Sequence, residues 1–279
     1  MAASNPYHSP DSIARNDNSP AGCVLLIEPQ RAHLKFLEAV PEVTTILVRL
    51  TDAETLVNQS HTADSYFPKS VDVITTSTVN DRYLSGLHWH DEFEIVREFS
   101  PDYHIPCDLP VYRTTHRSIR RERITNYFHR VLAFAQAADN VSFEVIPLAK
   151  ALTREEWIMT KTAFDLLDVE FYALYGTQYF LEEGGFSQLL TDVRVATSVN
   201  PCRKILLIGL LSPRLLRRLP SQVTAAAGLN QWRTRVCLRE APPDTYLHKF
   251  VELQKEVNSA LGQGQAPLGM WLLEAEGVA

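Results

Sequence analysis

The sequence predicts an α/β fold: one (β/α)8 TIM-type barrel over residues 22–279, preceded by a disordered tail at 1–21. Three observations predict it. Short Val/Ile/Leu-rich runs alternate with helical patterns along the chain, and they count to eight. The runs are also apolar throughout, as parallel strands buried on both faces are. An open doubly wound sheet competes. However, no G-x-G-x-x-G or G-x-x-x-x-G-K-[ST] follows the first run, which weakens its nucleotide-binding versions.

The tail (MAASNPYHSPDSIARNDNSPA) is polar, rich in Ser, Asn and Pro, and lacks periodicity, a composition that cannot offset the entropy of ordering. Strands are then expected at 23–28 (CVLLIE), 45–50 (TILVRL), 71–76 (VDVITT), 103–107 (YHIPC), 142–148 (SFEVIPL), 170–175 (EFYALY), 204–210 (KILLIGL) and 223–227 (VTAAA). Apolar residues three and four apart predict helices between them, at 31–39, 52–59, 89–99, 119–138, 153–167, 186–195, 213–219 and 245–261. Thr153 with Glu156 three residues on is a capping box and marks the start of the fifth helix.

A chain of 279 residues that is 45% hydrophobic can bury a large core. Its formal charge of −6 argues against a generic polyanion binder, but the charge is uneven. Arg113, Arg117, Arg120, Arg121 and Arg123 crowd one stretch, and Arg214, Arg217 and Arg218 another. Such patches suit phosphate or nucleic-acid contact, with a solvated helix face as the ordinary alternative. Cys23, Cys107, Cys202 and Cys237 show no C-x-x-C spacing, so neither a zinc site nor a disulfide framework is expected. His88 and His90 form an H-x-H without further ligands at suitable spacing, and no metal or cofactor is predicted. No apolar run reaches the roughly 18–20 residues that span a bilayer, and the N-terminus lacks a signal-type apolar region. The expectation is a cytoplasmic protein with no membrane partner.

The informative stretch is 101–123, PDYHIPCDLPVYRTTHRSIRRER. It reads as a short strand ending on Asp108, bracketed by Pro106 and Pro110 and followed by arginines. Barrels carry their chemistry at the C-terminal ends of the strands, while a lone Asp more commonly caps a turn. The other strand ends supply Asp81, Lys150, Tyr175, Gly176, Gly209, Asn230 and Trp232. Asp108 and Asp81 are the candidate catalytic carboxylates. Tyr175 and Trp232 offer stacking faces, Gly176 and Gly209 allow a flat ligand close to the backbone, and Asn230 can read a polar edge. Trp232 is also an ordinary core residue type, and Lys150 an ordinary solvated charge.

PDYHIPCDLPVYRTT resembles the segment of tRNA-guanine transglycosylases in which an aspartate follows an apolar strand, precedes a Pro-Tyr turn and recognises the guanine-type base. EVIPLAKA, FYALYG and KILLIGLLSP fall in the order of that family's glycine-bearing strand ends. The resemblance spans 71–235 and is to the divergent branch, in microbes and their viruses, that inserts 7-deazaguanine bases into DNA. It implies a pentosyltransferase that exchanges guanine in nucleic acid, DNA ahead of tRNA, for a 7-deazaguanine base. Asp108 would act on the base or sugar, and the Arg113–Arg123 cluster would grip the backbone. The chain departs from the family in three places. TTSTVND stands where the family has Asp-Ser-Gly-Gly, with Asp81 as the substitute; GLNQWRTR offers Asn230 where a nucleophilic aspartate is expected; and the Cys/His zinc site is absent. An Asn cannot form a glycosyl ester. The sequence therefore leaves open a non-catalytic nucleic-acid-binding partner, a homodimer, or a barrel enzyme on a phosphorylated metabolite using Ser212 and Arg214.

Overall fold

Every expected strand forms, and each runs parallel to its neighbours in one curled sheet. The structure is a computed structural model that describes residues 10–14, 19–180, 185–238, 242 and 245–262. The first half of the chain contains β1 (Gly22–Leu26), α1 (Arg31–Ala39), β2 (Thr45–Arg49), α2 (Leu50–Asn58), α3 (Ala63–Tyr66) and β3 (Asp72–Thr76). It continues with α4 (Asp81–Leu84), α5 (Trp89–Phe99), β4 (Tyr103–Ile105), α6 (Arg117–Ala138) and β5 (Glu144–Val145). The second half contains α7 (Arg154–Leu166), β6 (Phe171–Tyr175), a 3-10 turn (Thr177–Phe180), α8 (Gly185–Val199) and β7 (Lys204–Ile208). It ends with α9 (Pro213–Leu216), β8 (Val223–Gly228), α10 (Asn230–Val236) and α11 (Tyr246–Ala260). The strand order is β5-β4-β3-β2-β1-β8-β7-β6, so β1 sits mid-sheet between β2 and β8.

Strand composition accounts for the layering. Ile46, Leu47 and Val48 of β2 and Ile205, Leu206 and Leu207 of β7 are wholly buried, although successive side chains point to opposite faces. Both faces of the sheet are therefore covered, with α2, α6 and α11 packed against its strands. Thr153 caps α7 as its box predicts: its side chain accepts from Glu156 N–H while the Glu156 carboxylate accepts from Thr153 N–H.

The seam between β5 and β6 differs from the sequence expectation. No continuous ladder closes it, so the sheet is a TIM-like arrangement that is not a closed barrel. The reason lies in the segment read as disordered tail. Val145 N–H donates to Ser12 O at 2.6 Å, Ala14 N–H donates to Val145 O at 3.0 Å, and Ile13 pairs with Val145 in parallel. Ser12 also donates through Oγ to Ala135 O at 2.7 Å and through N–H to Asp139 Oδ1 at 2.9 Å. Ile13 and Ala14 are buried. Residues 12–14 thus occupy the lower part of the seam, satisfying backbone groups that a two-residue β5 leaves over. Above them, among the described residues, β6 meets the segment after β5 at the bridge Leu148↔Ala173, where Ala173 N–H donates to Pro147 O and Ala149 N–H to Ala173 O.

Candidate active site

Asp108 stands just beyond β4, and the backbone beneath it is unusual. Cys107 has φ 61°, the left-handed region, which is uncommon for a residue other than glycine. The strand therefore ends at Ile105 rather than running to Cys107. Two hydrogen bonds hold the turn: Cys107 N–H donates to Glu92 Oε1 at 2.8 Å, and Asp108 N–H donates to Ser77 Oγ at 2.9 Å. Ser77 in turn donates to Ile105 O at 3.0 Å. Glu92, on α5, is buried and also meets His104 Nε2 at 2.9 Å, while His104 Nδ1 lies 2.8 Å from Thr75 Oγ1. A buried chain of Thr75, His104 and Glu92 thus supports the turn that presents Asp108. The TTST run serves this internal bonding. Burial pushes the Cys107 thiol well above its ordinary range, and the nearby Glu92 adds to this, which marks an inert, structural cysteine.

The Asp108 carboxylate pairs through Oδ1 with Lys150 Nζ, from the segment after β5; side-chain exposures are 10% and 11%. The sequence could not distinguish Lys150 from a solvated charge, and here it is the counter-ion. Burial raises the Asp108 pKa above its ordinary value; Lys150 opposes this, while Glu92 and Asp81 add to it. Asp81 lies in the first turn of α4 and accepts from Tyr112 Oη at 2.7 and 2.9 Å. Burial, then Asp81, pushes the Tyr112 phenol up to about 12, with Asp108 and Tyr175 further influences. Asp108, Lys150, Asp81, Tyr112 and Tyr175 therefore form one electrostatic neighbourhood at the strand ends. Tyr112 was missed from the sequence, and its place in PVYR, four residues past Asp108, was the signal available.

The other expected ligand contacts fare differently. Trp232 is fully buried, with ring contacts to Phe36 at 4.8 Å and His33 at 5.0 Å and its Nε1 donating to Leu26 O at 3.2 Å. It packs α10 against α1 and has no free face for stacking. Asn230, at the start of α10, is exposed. The glycines serve the protein rather than a ligand. A Cβ on Gly209 would lie 2.2 Å from Thr177 Oγ1, and one on Gly176 would lie 3.0 Å from Leu207 Cδ1. At Gly209 the neighbour is the 3-10 turn at Thr177 and at Gly176 it is β7, so the chain itself crowds the space a Cβ would take.

The arginine cluster is largely neutralised from within. Arg113 pairs with Asp192, Arg117 with Glu155, and Arg120 with Glu156 at 2.8 Å. Arg123 donates to Pro110 O at 2.7 Å. Arg120 is itself buried; of the five only Arg121 is exposed without a partner among the described residues. The expected cationic strip is thus largely paired within the chain: Arg117 and Arg120 tie α6 to α7, and Arg113 ties the loop before α6 to α8. The acids that quench it lie 36 to 79 residues further along the chain.

A polar cluster not recognised in the sequence lies at the ends of β1 and β2. Glu28 meets Arg49 Nη1 through Oε1 at 3.3 Å and Arg233 Nη1 through Oε2 at 3.5 Å, and its Oε2 accepts from Gln30 at 2.7 Å. Glu28 N–H donates to His33 Nδ1 at 2.9 Å. Burial lowers the His33 pKa to about 4.

A cleft of about 220 Å³ touches Asp81, Pro110 and Arg130. A larger groove, about 560 Å³, lies between α6 and α7 and is lined by Phe128, Leu132, Met159 and Leu166; no strand end enters it. Polar chemistry and the strand ends favour the smaller cleft as the one next to a site. Among the described residues no three His, Cys, Asp or Glu side chains gather as metal ligands, and no helix is long and apolar enough to cross a membrane. No protein-family model matches the chain, and no curated protein is similar to it.

Proposed function

We propose that the chain is a base-exchange transglycosylase of the tRNA-guanine transglycosylase type, working at the strand ends of its TIM-like parallel sheet. It replaces guanine in nucleic acid, DNA ahead of tRNA, with a 7-deazaguanine base. The observation that supports this reading is the placement of Asp108. A left-handed residue and two hydrogen bonds set this acid at a strand end, beside a lysine. A carboxylate accepts from the paired N–H donors of a guanine-type edge. The adjacent ammonium offsets negative charge on a departing purine. Asp81 supplies a second carboxylate for the oxocarbenium-like sugar. Asn230 offers no carboxylate, so a covalent glycosyl intermediate falls to Asp81 or Asp108.

The test is incubation of the purified chain with DNA or tRNA and a labelled 7-deazaguanine base. Incorporation that is lost in Asp108→Asn is the expected result. Absence of incorporation by the wild-type chain on either polymer, or incorporation unchanged in the variant, overturns the reading.

The internal pairing of Arg113, Arg117 and Arg120 favours a second reading. It is a barrel enzyme on a small phosphorylated molecule, which needs no strip of cations along a polymer. Turnover or binding of free nucleotides without any affinity for DNA or tRNA selects it.

A further inference from the structure

We infer that Arg49 and Arg233 form an anion site for a phosphate group at the ends of β1 and β2, with Glu28 as its resident counter-ion. Two guanidiniums approach opposite oxygens of one carboxylate, and both contacts are long, 3.3 and 3.5 Å. Charge-assisted pairs that are satisfied sit nearer 2.7–2.9 Å. Oε2 is already taken at 2.7 Å by Gln30. Each guanidinium carries five N–H donors in a planar fork, so donors far outnumber the acceptors that Glu28 presents. Among the described residues Glu28 is the one acidic partner in ion-pair contact with either arginine.

Stability is a weak reason for this arrangement. The side chains are 35%, 26% and 23% exposed for Arg49, Glu28 and Arg233, so each ion pair is partly screened and contributes little. The two guanidiniums repel each other across one carboxylate, and an added anion reduces that repulsion; the other carboxyl in the field of Arg49, Asp52, has its pKa raised by burial. Arg49 comes from β2, Glu28 from the loop after β1, and Arg233 from α10, directly after β8. Three adjacent strands thus deliver the group to the face that carries Asp108. A tetrahedral phosphate has enough oxygens to take both forks, which one carboxylate shared with Gln30 does not. The site does not depend on the base-exchange reading, since a phosphorylated metabolite or a nucleotide presents the same group.

The experiment is calorimetric titration of the full chain with inorganic phosphate and with guanosine 5′-monophosphate, guanosine serving as the phosphate-free control. It is run at low salt with no polymer or base-exchange partner, so its outcome is separate from that of the incorporation assay. Phosphate binding is expected to weaken at least about 10-fold in Arg49→Gln and in Arg233→Gln, each a loss of one charged fork. Arg49→Lys, which keeps the charge but not the fork, is expected to fall between Arg49→Gln and the wild type. Glu28→Gln is expected to tighten phosphate about 10-fold by removing the competing carboxylate. No phosphate binding by the wild-type chain or Glu28→Gln, or binding that survives both arginine substitutions, overturns the site.

Discussion

Lys150 Nζ donates to Asp108 Oδ1 beyond the ends of two paired strands, β4 and β5, and both side chains are about nine-tenths buried. Removing one member of such a pair leaves an uncompensated charge, which costs more than the pair itself is worth. Lys150→Met is therefore expected to lose about 3 kcal/mol in urea unfolding at neutral pH. The pH dependence has a definite sign. The folded-state pKa of Asp108 is raised above 3.8, so ionising it lowers stability as the pH rises through the folded value. The Lys150→Met penalty should accordingly shrink toward acid pH, and Asp108→Asn with Lys150→Met should recover most of it at neutral pH.

Glu92 holds the Cys107 amide and meets His104 while buried at 2% exposure. Glu92→Gln keeps an acceptor for the amide and is expected to cost less than about 1.5 kcal/mol. Glu92→Leu strands the Cys107 N–H and the His104 ring nitrogen and is expected to cost about 3 kcal/mol or more. Chemical denaturation of the two variants side by side reads the difference.

Gly209 has φ +103°, and a Cβ there would sit 2.8 Å from the backbone N of Thr177. Gly209→Ala is expected to destabilise by at least about 2 kcal/mol, since strain and overlap act together. Adding Thr177→Ser to it should recover little, because the obstructing atoms include main chain. Thermal melting of the single and double variants checks both statements.

His33 is neutral in the folded chain down to about pH 4, against an ordinary value of 6.5. The unfolded chain therefore binds the additional proton between these limits, and stability falls as pH drops from about 6.5 to about 4. His33→Gln should flatten that limb of a stability–pH curve measured by urea midpoints.

Arg120 and Arg121 are neighbours with opposite expectations. Arg120 is buried against Glu156 and donates to Thr115 O, so Arg120→Ala is expected to cost about 3 kcal/mol. Exposed Arg121→Ala is expected to change stability by less than about 0.5 kcal/mol. Paired urea melts decide it.

These contrasts show where the sequence was legible. The strands were readable because burial on both faces leaves an unbroken apolar signature, as in KILLI of β7. The α7 start was readable because a capping box is local. Asp108 could be placed at a strand end for the same reason. What was not readable depends on distant partners: Lys150 lies 42 residues from Asp108, and Asp192 lies 79 from Arg113. Residue type alone does not reveal whether a charge far along the chain will quench an arginine. The surroundings of Gly176 and Gly209 were not readable because a glycine looks the same whether a ligand or a neighbouring segment fills the missing Cβ. Ser12–Ala14 escaped notice because three residues are too few to show periodicity, yet a short β5 is enough to recruit them.

The most direct test of the central claim, that Asp108 meets a guanine-type base, is calorimetric titration of a 7-deazaguanine base into the wild-type chain and Asp108→Asn, with melting curves confirming that both are folded. Specific binding to the wild type that weakens at least about 100-fold in the variant is the predicted result, two charge-assisted hydrogen bonds being lost. Equal affinity in the two proteins, or no binding by the wild type, contradicts it.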